Sequence, residues 1–115
     1  MEDKKFVDAI FFELFEKNFS RYKESLTKPV CNDKNSFARA RNAIALLDDT
    51  QKLDVINFLK VVIADSVSVV LGILDGVHFL DELEGDFTVS LDGEEIQGDL
   101  QDIFIENVQK DGAYD

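Results

Sequence analysis

Apolar side chains recur on every side of a helical wheel from Leu53 to Leu74, through Val55, Ile56, Phe58, Val62, Val69 and Ile73 among others. A helix that is apolar all round is a buried one, so this stretch is predicted to be the element that the rest of the chain covers. Asp48-Asp49-Thr50-Gln51 supplies its start, because an Asp N-cap with Gln three residues on satisfies two free N–H groups reciprocally. Asp75-Gly76 supplies its stop, since Gly accepts the left-handed conformation after a helix end. The helix between them would be ~37 Å long, against a radius of gyration of ~13 Å for a domain of this size. That mismatch predicts a kink or break near Asp65-Ser66. The many Val and Ile residues raise a strand alternative for Val67 to Leu74, but strict alternation is missing and helix is the better fit. Ala64, Ser68, Gly72 and Gly76 recur every fourth residue and would form a ridge that a neighbouring helix approaches closely.

Elsewhere the pattern is more conventional. Asp3 to about Leu26 has the spacing of an amphipathic helix, carried by Phe6, Val7, Ile10, Phe11, Leu14 and Phe15. Phe12 and Phe19 widen its apolar face beyond what one packing surface requires. This helix is therefore either sandwiched between two elements or partly exposed as a dimer interface through Phe12 and Phe19. Thr27 to Asn35, with Pro29, Asn32 and Asp33, is a loop. Ser36 is placed to cap a second helix, Phe37 to Leu47, with an inward stripe of Phe37, Ala40, Ala43, Ile44 and Leu47. Arg39 and Arg41 fall off that stripe, either solvated or paired with acidic groups of the C-terminal region. Val77 to Leu80 reads as a short strand or a helical turn. Phe87 to Gly98 then alternates around Asp92-Gly93, a strong two-residue hairpin signal. That register pairs Leu91 with Glu94, Ser90 with Glu95 and Val89 with Ile96, the last pair facing inward. Asp99 is placed to cap a final helix from Leu100 to about Lys110, with Leu100, Ile103, Phe104 and Val108 inward. Gly112 to Asp115 is expected to fray.

These elements predict a single α+β domain, mainly α. About four to five helices surround the central apolar helix, with one C-terminal β-hairpin. The 115 residues are enough for one modest core. A membrane span is not expected, because Lys60 and Asp65 interrupt the apolar run and the longest charge-free piece is Ser66 to Leu74. Cys31 is the only cysteine, and Glu2-Asp3-Lys4-Lys5 after Met1 does not resemble an export signal. Both point to a cytoplasmic protein.

Charge changes the picture most. Residues 1–74 hold 11 acidic and 11 basic side chains, whereas residues 75–115 hold 13 acidic side chains and only Lys110. The formal charge of −12 thus lies wholly on the last third of the chain. Nucleic acid is disfavoured as a partner, because phosphates would be repelled. A basic protein partner is favoured, with Asp81, Glu82, Glu84, Asp86, Glu94 and Glu95 as candidate contacts. An acidic surface also serves solubility alone. The run Asp81 to Asp86 does not follow calcium-loop spacing. His78, the single histidine, accompanies no nucleophile motif, and no phosphate loop or metal motif occurs. No catalytic residue, cofactor or metal ligand is predicted.

The succession LLDDTQKLDVINFLK, VLGILDG, a DG hairpin and GDLQDIFIE resembles that of small acidic bacterial cytosolic proteins of uncharacterised function. Some of these look like immunity proteins that accompany secreted toxins. The resemblance covers about residues 42–106 and implies a binding role without catalytic residues.

Overall fold

The computed structural model describes all 115 residues. The chain is mainly helical, with one small antiparallel hairpin near its C-terminus. Helix α1 (Glu2–Phe12), a π-helical segment (Glu13–Asn18) and α2 (Phe19–Leu26) follow one another as a single rod. Then come α3 (Ser36–Ile44), α4 (Asp49–Leu74), strands β1 (Ser90–Leu91) and β2 (Glu94–Glu95), and α5 (Leu100–Asp111).

Helix α4 is continuous through Asp65 and Ser66, so the predicted break does not occur. At 1.5 Å per residue it is about 39 Å long. The chain accommodates that length by elongating, to 48 × 32 × 26 Å with a radius of gyration of 17.2 Å. Its ends are those the sequence announces. The Asp48 carboxylate accepts from Gln51 N at 2.8 Å, and the Gln51 side chain accepts from Asp48 N at 3.2 Å. Gly76 follows the C-cap with φ +77°.

Everything else lies against one side of α4, in two clusters. Around its N-terminal half, Ile56 packs with Phe19 of α2 and Ile44 of α3. Around its C-terminal half, Ala64 and Leu71 pack with Val7, Phe15, Ile96, Leu100, Phe104 and Val108. Lys60 lies between the two clusters. Its ammonium sits 4.9 Å from the Phe19 ring centre and 5.9 Å from that of Phe15, and it pairs with Asp111 at 3.3 Å. A charge inside an apolar run is tolerated there because its stem packs on rings while its head finds an anion.

The π segment has a packing cause. Val7, Phe11, Phe15 and Phe19 recur every fourth residue, and in an α-helix such a row drifts by about 40° per step. A wider i→i+5 turn rotates less per residue. That keeps Phe15 and Phe19 facing α4, with Phe11 stacked on Phe15 at 4.4 Å. The α1–α2 rod is thus sandwiched at Phe19, which is buried, and exposed at Phe12.

Several boundaries and faces differ from expectation. Asn35, not Ser36, caps α3, accepting from Ala38 N at 2.9 Å. The inward residues of α3 are Ala38 and Ile44, while Phe37 is half-exposed and stacks on Tyr22. Arg41 turns inward and bonds Ser25 O at 2.6 Å, which closes the loop after α2. Val77 to Leu80 form neither a strand nor a helical turn. The tail does not splay away: Ala113 packs on the core and the Tyr114 hydroxyl donates to Asp65 at 2.7 Å. Burial, and then the Asp65 carboxylate, raise the Tyr114 pKa.

The hairpin has the predicted register, Ser90 with Glu95 and Leu91 with Glu94, and Ile96 N donates to Val89 O at 2.8 Å. Asp92 and Gly93 have φ +52° and +80°, as a type I′ turn requires. Of the predicted small-residue ridge, Ser68 and Gly72 meet Gln101 of α5, whereas Gly76 lies past the end of α4, exposed and with open space around it. A Cβ on Gly72 would come within 2.5 Å of Gln101 Nε2 and 3.3 Å of His78 Cβ. Gln101 Nε2 itself donates to Ser68 O at 2.8 Å. Gly72→Leu should therefore destabilise the fold by about 1–3 kcal/mol through overpacking. A denaturation midpoint equal to that of the parent would show that the seam is not tight.

Candidate functional site

The Asp75 carboxylate ties the acidic region to the C-terminal end of α4, alongside the Gln101–Ser68 bond. Asp75 accepts from three backbone N–H groups at the start of α5: Gly98 (2.7 Å), Leu100 (3.2 Å) and Gln101 (2.8 Å). Asp99 occupies the N-cap position, but its side chain makes no capping bond. The first free N–H groups of α5 are thus satisfied from another helix, where a carboxylate is favoured. Gln97 then links the hairpin to this corner, its Oε1 accepting from Val89 N at 2.9 Å.

On that base the six candidate carboxylates are all exposed, but they fall into two groups. Glu94 and Glu95 line a depression with Met1, Glu2 and Asp3. The two acids that open α1 thereby join a surface that the sequence assigned to the last third of the chain. The two lysines nearby are already engaged, Lys4 with Asp8 at 2.8 Å and Lys5 with Glu2 at 3.3 Å. The hydrogen bond from Lys4, followed by that from Asn107, lowers the Asp8 pKa, and the same bond raises that of Lys4.

Asp81, Glu82, Glu84 and Asp86 belong to the irregular stretch 77–89 and alternate with apolar side chains. Phe79, Leu80, Leu83 and Phe87 line a narrow cleft with Ile73 and His78. No nucleophile or carboxylate lines that cleft beside the imidazole. No group of three or more His, Cys, Asp or Glu side chains is gathered as a metal site.

The opposite end of the molecule is more basic, although Asp48, Asp49 and Asp54 open α4 there. Residues 17–47, which include α2 and α3, carry seven Lys and Arg against two acids. Residues 75–99 carry nine acids and no Lys or Arg. These two regions pack at opposite halves of α4.

The predicted dimer pair separates. Phe19 is 6% exposed, in the core with Ile44 and Ile56, so it presents no interface. Phe12 is 53% exposed, with the Lys17 ammonium over its ring. Uncovered apolar side chains lie instead along α4, where Phe58 is 60% exposed. By length and composition α4 could cross a membrane, a test that core helices of soluble proteins also pass.

No family model, curated protein or solved structure matches the chain.

Removing the Asp75 carboxylate leaves the start of α5 uncapped. Asp75→Ala should cost about 1.5–3 kcal/mol, the range for hydrogen bonds to a charged group. It should also increase amide exchange at Gly98, Leu100 and Gln101. Unchanged stability and unchanged protection would show that the corner is held by something else.

Proposed function

We propose that this chain is a non-catalytic binding protein whose acidic end engages a basic protein partner, in the manner of the immunity-type proteins its sequence resembles. The observation that carries the reading is the charge polarity. Exposed carboxylates follow the C-terminal end of α4 in two groups, Glu94 and Glu95 beside Glu2 and Asp3, and Asp81, Glu82, Glu84 and Asp86 in the stretch 77–89, and Lys4 and Lys5 already have partners. Such a surface attracts a cationic partner over several ångströms and orients it before contact. The apolar side chains interleaved with Asp81, Glu82, Glu84 and Asp86 add short-range contact area, because an interface needs an apolar centre inside its polar rim.

The test is kinetic. A partner recovered from the native cell should be basic, and its association should slow steeply with added salt. Changing Glu82, Glu84, Glu94 and Glu95 to Gln should slow association roughly tenfold at low ionic strength, with little change in dissociation. An acidic partner, or an association rate indifferent to salt and to these four changes, would leave the acidic end with a solubility role only.

A further inference from the structure

The face of α4 turned away from both core clusters carries Val55, Phe58, Val62, Ser66, Val69 and Ile73. At 100° per residue these six fall within an arc of about 80°. They are spaced three or four apart over roughly 27 Å, the spacing of a helix–helix seam. Val55, Phe58, Val62 and Val69 are each more than two-fifths exposed. The stripe contains no charged residue, and at Ile73 it runs into the cleft of Phe79, Leu80 and Leu83. An uncovered apolar surface this long is rare on a monomer and marks an interaction site.

Two quantities indicate what covers it. The chain exposes 7984 Å² of surface, whereas a folded monomer of 13.0 kDa should expose about 6,300 Å². The excess is about 1,600 Å² per chain, spread over the whole elongated molecule with the stripe as one part of it, so a pair can hide at most about 3,200 Å², and permanent homodimers begin near 2,000 Å². The second quantity is the charge polarity along α4. A parallel pair would set the acidic end of one copy against the acidic end of the other. An antiparallel pair sets the acidic residues 75–99 of one copy against the basic residues 17–47 of the other. A membrane fits less well, since a chain of net charge −12 is repelled by anionic lipid.

We propose that a second copy of this chain covers the outer stripe of α4. The two helices run antiparallel about a two-fold axis at the level of Ala64, the midpoint of the stripe. The stripe then meets itself, as a two-fold interface requires. Nine acids at each end of the dimer outweigh a surplus of five cations brought by the other copy, so the surface proposed for the basic partner stays acidic. The pairing does not depend on that partner.

Analytical ultracentrifugation at micromolar concentration should give twice 13.0 kDa for the parent. Val62→Glu with Val69→Glu should give the single mass with an unchanged helical spectrum, and Phe12→Glu should remain a dimer. Orientation is read from spin labels at Leu46→Cys in a Cys31→Ser background. An antiparallel pair holds the two labels about 50 Å apart. A parent that is monomeric at hundreds of micromolar overturns the proposal, whether or not the double variant folds. So does a double variant that stays dimeric, a label distance under ~20 Å, or a monomer that floats with phosphatidylcholine vesicles, which would identify a lipid surface instead.

Discussion

Every other element of this protein depends on α4 being one uninterrupted rod. Twenty-six consecutive residues in a single helix are about 39 Å of rigid axis, and the other elements of the chain do not wrap it. The remaining helices cover one side in two separate clusters, at Ile56 and at Ala64–Leu71. Only 13 residues are buried as a result, which makes a thin core for a chain of this length. The structure responds by using polar side chains as ties between elements. Lys60 joins α4 to α5, Arg41 joins α3 to the end of α2, and Tyr114 returns the tail to Asp65.

Asp75 connects this rod to the acidic end. Placed just past the last turn of α4, it holds three backbone N–H groups of the Gly98–Gln101 corner and so fixes where α5 begins. Helix α5 in turn carries Leu100, Phe104 and Val108 into the larger cluster. Folding and charge display therefore meet at one corner: Asp75 holds Gly98 and the start of α5, and Gln97 next to it bonds Val89 beside the hairpin that presents Glu94 and Glu95. The result is a molecule with an acidic end, a basic end and an apolar stripe between them.

What the sequence made legible was local. The capping box at Asp48 and Gln51, the stop at Asp75-Gly76 and the register around Asp92-Gly93 each follow from the chemistry of a few adjacent residues, and all are present. The inward stripe of α5 was legible for the same reason. Features set by distant partners were not. Asp99 has the right position to cap α5, but Asp75 takes the N–H groups first. Arg41 was expected to be solvated or paired with C-terminal acids, because Ser25, its actual acceptor, lies 16 residues away. The π segment answers to the drift of an aromatic row against α4, and the tail to Asp65. Of the acidic surface, the exposure of six carboxylates was foreseeable from their polarity, whereas the approach of Glu2 and Asp3 to the hairpin required the fold. The all-round apolarity of α4 was read as burial within one chain, which also led to a kink at Asp65-Ser66. Burial by a second chain leaves the same signature in sequence, and it permits a straight helix.

That reading ties stability to association. If the outer stripe of α4 is covered by a second copy, unfolding releases two chains, and the melting temperature must rise with protein concentration by mass action. Thermal unfolding measured over a hundredfold range of concentration should show an increase of about 5 °C. A melting temperature that is constant across that range would mean that the thin, one-sided core is sufficient by itself, and would contradict the account.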